Sequence, residues 1–251
     1  MEVRLDGKTA LVTGGSRGIG KAIAAAFADA GANVMITSRK AEQLEAAAGE
    51  IGRACAWMAS NVGEPESAEA VVAGTVDRFG GIDILVNNAA TNPYVGPMIE
   101  ADLARWNKTI QVNLTAPLMW TQAAWNASMK ERGGAVLNVA SVGGLGTSGE
   151  LAVYNLTKAG LIHTTKQLAV ELAPNVRVNA VAPGLIKTDF ARLLWEGERG
   201  EQAAKAYPLK RLGEVDDIAN AAMYLCSDVS GWVTGQTIVI AGGATVKYMT
   251  V

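Results

Sequence analysis

Histidine occurs once, at position 163, and cysteine twice, at Cys55 and Cys226, with no second ligand at metal-binding spacing from any of them. That scarcity leaves neither a zinc signature nor a disulfide framework, and the two cysteines read as small buried hydrophobic residues. No metal is expected. Charge is equally thin: 22 basic and 24 acidic residues give a net charge of −2, and charged residues make up only 18% of the chain, with no basic run. A nucleic-acid partner needs a concentrated positive surface, so that class falls away. No apolar run reaches the roughly 20 residues that cross a bilayer, and the opening Met1-Glu2-Val3-Arg4-Leu5 lacks the basic-then-apolar layout of a signal peptide. A cytoplasmic protein without membrane contact is the expectation. No repeat, low-complexity tract or Pro/Gly-rich linker divides the chain, so residues 1–251 are expected to form one domain.

What is present is apolar and rhythmic. Hydrophobic residues reach 49%, which favours a large core and burial against further copies of the chain. Short β-rich runs at Thr9–Thr13, Asn33–Thr37, Cys55–Met58, Ile82–Val86, Ala135–Ala140, Arg177–Ala182 and Thr237–Ile240 alternate with helical stretches. The long helices are expected at Asp102–Arg132 and Leu151–Ala173. Runs such as Ile84-Leu85-Val86 show no polar alternation, as befits parallel strands covered on both faces. The pattern predicts an α/β, Rossmann-like, doubly wound parallel sheet of seven strands. The one long irregular stretch, 183–212, carries Phe190, Leu193, Leu194 and Trp195 between charges and is expected to form a substrate lid.

The first strand runs directly into Thr13-Gly14-Gly15-Ser16-Arg17-Gly18-Ile19-Gly20 and then a helix. Residues without Cβ let the backbone approach a pyrophosphate, while the helix N-terminus supplies unpaired N–H groups and a positive dipole end. A dinucleotide is the implied ligand. The second strand ends Thr37-Ser38-Arg39-Lys40, with no acid to accept from a ribose 2′-hydroxyl. Ser38 and Arg39, aided by Arg17 from the glycine loop, instead suit a 2′-phosphate, so NADPH is the expected cofactor.

Tyr154 and Lys158 stand four residues apart on a predicted helix, hence on one face. Around them lie Asn87-Asn88-Ala89 after the fourth strand, Asn113 in the long helix, and Ser141 just past the fifth strand. Each falls near the strand ends where open parallel sheets bind ligands. With these motifs the sequence resembles the short-chain dehydrogenase/reductase family from Gly7 to Gly243. The resemblance implies that Tyr154 donates the proton, Lys158 grips the nicotinamide ribose, Ser141 hydrogen-bonds the carbonyl oxygen, and Asn113 holds a relay water. It extends the cofactor contacts to Asn61, Val62, Asn88, Ala89, Pro183, Gly184, Ile186 and Thr188. The chemistry asks for such groups independently, because hydride delivery to a carbonyl carbon builds negative charge on the oxygen. A lysine ~4 Å from the phenol at an effective dielectric near 20 is worth roughly 4 kcal/mol, or about three pKa units. A phenol near neutrality is therefore expected.

The family's usual glycine after the fourth strand is Ala90 here, its adenine-side acid is Asn61, and its aspartate near the last strand is Ala241. Mostly small or apolar residues would wall the pocket, and Asn92-Pro93-Tyr94 together with Ala182–Thr188 and Trp195 resemble the NADPH-dependent carbonyl reductases. Met249-Thr250-Val251 stands where peroxisomal relatives carry their address. A ketone or aldehyde is thus the expected substrate. The alternative is 3-oxoacyl-carrier-protein reduction, with Lys130 and Arg132 meeting an acidic acyl carrier, although Val170 and Glu171 stand where that branch usually has arginine. A non-catalytic dinucleotide sensor would ordinarily lose the tyrosine or the lysine, and enoyl reductases space that pair more widely. The family's usual assembly, through the two long helices, implies a homotetramer.

Overall fold

The computed structural model describes residues 3–246, so Met249, Thr250 and Val251 lie outside the described residues. Seven strands, β1 (Thr9–Thr13), β2 (Asn33–Ser38), β3 (Cys55–Ala59), β4 (Ile84–Asn87), β5 (Gly134–Val139), β6 (Val176–Pro183) and β7 (Thr237–Ile240), form one sheet in the order β3-β2-β1-β4-β5-β6-β7. Every neighbouring pair is parallel. The expected Rossmann-like α/β domain is the fold.

Side chains of β1 show why the strands read as unbroken apolar runs. Ala10 and Val12 enter one core with Ile23 and Phe27 of α1 (Gly18–Asp29), Leu44 of α2 (Ala41–Ile51), and Ile218 and Leu225 of the Val215–Cys226 helix. Leu11, between them, enters the opposite core with Val72 of α3 (Pro65–Phe79), Trp120 and Leu168. The strand's two-residue period thus feeds two buried layers, and neither face tolerates a polar alternation.

The expected helix Asp102–Arg132 is helical from 103 to 132 but not uniformly α. Asp102 caps it by accepting from the Arg105 backbone N–H, and two π turns, Gln111–Thr115 and Trp125–Met129, interrupt it. Apolar periodicity does not register a single inserted residue, and such turns often sit at functional positions. The first of them carries Asn113. The second long helix is Ala152–Glu171, close to its expected span.

Strand order reverses between β1 and β4. The carboxyl ends of the strands at such a switch point are where ligands of open parallel sheets bind. Among the described residues no helix is long and apolar enough to cross a membrane, and no cluster of metal-ligating side chains occurs.

Candidate active site

Thr13 ends β1, and its hydroxyl accepts from the backbone N–H groups of Asn88 (3.0 Å) and Ala89 (3.2 Å), just past β4. The Asn88 amide donates in return to the carbonyls of Thr13 (2.9 Å) and Gly14 (3.2 Å). Gly14 and Gly18 stand at φ +68° and +56°, and a Cβ on Gly20 would overlap both the Asn88 amide and the Gly14 carbonyl. These positions need glycine. Helix α1 begins with neither a side-chain cap nor an acid in its first turn, so its N–H groups remain available to an anion. Ile19 packs against the core, while half-buried Ser16 and exposed Arg17 edge the loop. The cradle fits a dinucleotide pyrophosphate.

At the end of β2 the Ser38 hydroxyl is buried and lacks a protein partner, which suits a ligand oxygen. Arg39 beside it is exposed. The Arg17 guanidinium stands 3.8 Å from the Asp189 carboxylate across the glycine loop. Both side chains are more than half exposed (59% and 53%), so water weakens this pair. Asn61 has partners of its own. Its amide donates to Glu64 (2.6 Å) and its oxygen accepts from the Gly63 N–H (3.4 Å), which draws it into the turn before α3. Val62 follows, and its carbonyl accepts from the indole of buried Trp120 at 2.9 Å.

Ser141 and Tyr154 meet above the carboxyl end of β5. The backbone N–H of Gly143 donates to the Ser141 hydroxyl at 3.1 Å, and Ser141 stands close enough to the Tyr154 phenol to draw its pKa down. Lys158 is fully buried one turn along, its ammonium donating to the Val139 carbonyl at 2.8 Å and standing 5.5 Å from the centre of the Tyr154 ring. Burial pushes the phenol up to about 12, against the opposing pull of Ser141. Burial also holds the ammonium down to about 8. The expected near-neutral phenol is not what the structure gives: burial raises it more than Ser141 lowers it, and the lysine's hydrogen bond goes to backbone.

Asn113 is buried in the π turn. Its oxygen accepts from the Thr91 N–H (2.8 Å), and its amide donates to the Thr91 carbonyl (2.9 Å) and the Thr157 hydroxyl (3.2 Å). Both side-chain N–H donors are thus engaged, leaving the second lone pair of its oxygen and the backbone carbonyl for any water. Beneath the site, Asn87 donates to Asn138 (2.9 Å), which donates to Thr165 (2.9 Å), tying β4 and β5 to the Tyr–Lys helix. Sequence reasoning passed over Thr13, Asn138 and Thr165. A hydroxyl at a strand end before a glycine loop was the available signal for the first.

Pro183 closes β6, and Gly184 N–H donates to the Ile240 carbonyl at 2.9 Å. Ile186 is buried and bridged to Gly213. A Cβ on Gly18 would lie 3.4 Å from the Thr188 methyl, so Thr188 rests on the glycine loop. The predicted lid contains three short helical pieces, Asp189–Ala191, Arg192–Trp195 and Glu198–Ala206. Trp195 donates to the Thr188 carbonyl at 2.8 Å, and the Phe190 ring lies 6.3 Å from that of Tyr154.

Arg132 lies elsewhere. It reaches Asp83 (3.3 Å) at the start of β4, and the Lys130 carbonyl accepts from Asn175 just before β6. Within one chain both lie toward the amino ends of the strands, away from Ser141 and Tyr154.

A glycine cradle for pyrophosphate joined to a serine–tyrosine–lysine cluster on a parallel sheet defines an oxidoreductase that uses a nicotinamide dinucleotide. A family profile described as enoyl-(acyl carrier protein) reductase matches residues 14–245. The human dehydrogenase/reductase SDR family member 4 is 41% identical over 244 residues, covering 95% of this chain and 88% of the relative. A 3-oxoacyl-[acyl-carrier-protein] reductase of Aquifex aeolicus is 41% identical over 250 residues, covering 97% and 99%. Among solved structures, a short-chain dehydrogenase/reductase of Brucella melitensis, titled glucose/ribitol dehydrogenase, aligns over 100% of both chains with a TM-score of 0.92 and 34% identity. The chain belongs to the short-chain dehydrogenase/reductase family.

Proposed function

We propose that this protein reduces a ketone or aldehyde to an alcohol with NADPH. The observation that carries the reading is the Ser141 hydroxyl, held by the Gly143 N–H and set beside Tyr154 and buried Lys158. When bound, the nicotinamide supplies the hydride. Ser141 and Tyr154 then meet the oxygen that gains charge, and Tyr154 holds the proton that this oxygen takes. A phenol raised to about 12 stays protonated through neutral pH, which suits a donor in the reductive direction. Gly14, Ser16, Gly18, Ile19 and Gly20 would hold the pyrophosphate. Asn61, Val62, Asn88 and Ala89 would line the adenosine side, and Pro183, Gly184, Ile186 and Thr188 the nicotinamide side. Residues 183–212 would close over the substrate, with Phe190 as its apolar cover.

Ser38 and Arg39 support the choice of NADPH, with Arg17 able to exchange Asp189 for the phosphate. Titration with NADPH and NADH, followed by absorbance loss over a panel of ketones, aldehydes, quinones and an acetoacetyl thioester, tests the reading. Arg39→Asp is expected to weaken NADPH relative to NADH by about a hundredfold. An unchanged ratio of dissociation constants would remove Arg39 from the site.

The Aquifex relative favours a second reading, reduction of a 3-oxoacyl thioester on a carrier protein. Turnover confined to the thioester would select it, and tight NADPH binding without turnover would select a sensor. The four-residue Tyr154–Lys158 spacing speaks against enoyl reduction.

A homotetramer would cover Leu118, Leu156, Val170, Trp232 and Val239, all exposed on the long helices, on β7 or just before it. Light scattering at micromolar concentration is expected to give four times the chain mass; the mass of one chain would exclude the assembly.

A further inference from the structure

We propose that Asn155, one residue past Tyr154, is a positioning residue that sets the 142–151 loop against the carbonyl pocket; the inference rests on the carbonyl-reductase reading. The side chain is buried, and its amide donates to the Ser148 hydroxyl at 2.9 Å. The same hydroxyl accepts from the Leu151 N–H at 3.3 Å, while the Asn155 N–H donates to the Leu151 carbonyl at 2.8 Å. Asn155 therefore grips the loop where it enters the helix. Its other amide atom, the oxygen, is buried without a partner and faces Gly143, where a Cβ would overlap it. At Gly144 a Cβ would stand 2.7 Å from the Lys158 backbone. The loop thus lies directly on this asparagine and on the Tyr–Lys helix.

Two parts of the pocket depend on that seating. Gly143 supplies the N–H that holds the Ser141 hydroxyl. Farther along, the Glu150 carbonyl accepts from Gly96 at 2.8 Å and Leu151 bridges Gly96, so the 91–97 loop is tied to the same support. Stability alone does not explain asparagine here, since a buried amide with one bond and an orphaned oxygen costs more than an apolar residue. Its use is to fix a loop of glycines and small residues that has no core of its own.

Asn155→Ala and Ser148→Ala break the same bond from its two sides, so the pair and their double variant form a cycle. In the cofactor-free protein, amide hydrogen exchange across 142–151 is expected to quicken in either single variant and no further in the double. Melting temperature should stay level or rise in Asn155→Ala. With substrate, KM is expected to increase about tenfold or more, with kcat less affected and the NADPH dissociation constant unchanged. Unchanged loop exchange, single effects that multiply in the double variant, or a lowered melting temperature without a KM effect would each overturn the proposal. A wild-type protein that turns over no carbonyl would sink the functional reading instead, and the exchange measurement would still decide whether Asn155 holds the loop.

Discussion

Tyr154→Phe is expected to cut carbonyl turnover by about a thousandfold or more while moving the NADPH dissociation constant less than about twofold, because it removes the proton donor alone. The ring that faces Phe190 and Lys158 remains, so packing around the site is conserved. What disappears is the phenol oxygen beside Ser141 and, on the proposed reading, the proton that the product alcohol receives. Ser141 keeps its hydrogen bond from Gly143 and can still polarise a carbonyl, which is why some residual rate is expected. Single-turnover kinetics with bound NADPH separates the chemical step from binding. A variant retaining a tenth of the wild-type rate would exclude Tyr154 as the donor.

Lys158→Met is expected to do two opposite things: to abolish most turnover and weaken the cofactor, yet to stabilise the cofactor-free fold at pH 7 by on the order of 2–3 kcal/mol. The lysine is buried, and burial holds its ammonium down to about 8 from an ordinary 10.5. Below pH 8 both the folded and the unfolded lysine carry the proton, so the fold bears the whole cost of burying the charge. Between pH 8 and 10.5 the unfolded chain binds more protons than the folded one, and stability rises with pH as that cost is lifted. Methionine never bears it. The gap in denaturation midpoint between variant and wild type should be widest below pH 8 and close toward pH 10.5. Tyr154 acts the other way and later, because a phenol raised from 10 to about 12 costs stability only as pH climbs through that interval. A methionine variant less stable than wild type at pH 7 would show that the hydrogen bond to Val139 outweighs the buried charge.

The sequence revealed the strands because their period of two feeds two cores at once, so Leu11 and Val12 are both buried though they face opposite ways. The cofactor loop was legible for a similar reason. Glycine at 14, 18 and 20 answers backbone constraints that no other residue meets, and the structure puts those constraints where expected. Less legible was anything depending on which of several partners a long polar side chain selects. Arg17 reaches Asp189, Asn61 closes a turn on Glu64, and Asn113 is occupied by Thr91 and Thr157. Only the Asn61–Glu64 pair, three residues apart, lies at a spacing that local pattern can weigh; the partners of Arg17 and Asn113 are distant in sequence. Burial was the other blind spot. The Tyr–Lys spacing suggested an attraction between charges, but the two groups share an enclosed site, and that enclosure, visible only in three dimensions, reverses the direction in which the phenol shifts. Lys130 and Arg132 show the same limit on a larger scale, since nothing in a helix's sequence says which end of the sheet its last turn reaches.

The switch in strand order between β1 and β4 also orders events during synthesis. The glycine loop is complete as a sequence once residue 20 has left the ribosome, but its props, Asn88 and Ala89, come 75 and 76 positions after Thr13. Until β4 has been made and has docked beside β1, the nascent loop has no partner for the Thr13 hydroxyl and no amide to hold the Gly14 carbonyl. A growing chain therefore cannot grasp the dinucleotide when its binding motif emerges. It must wait until about a third of the polypeptide has been made, so cofactor capture would report that β4 has joined β1.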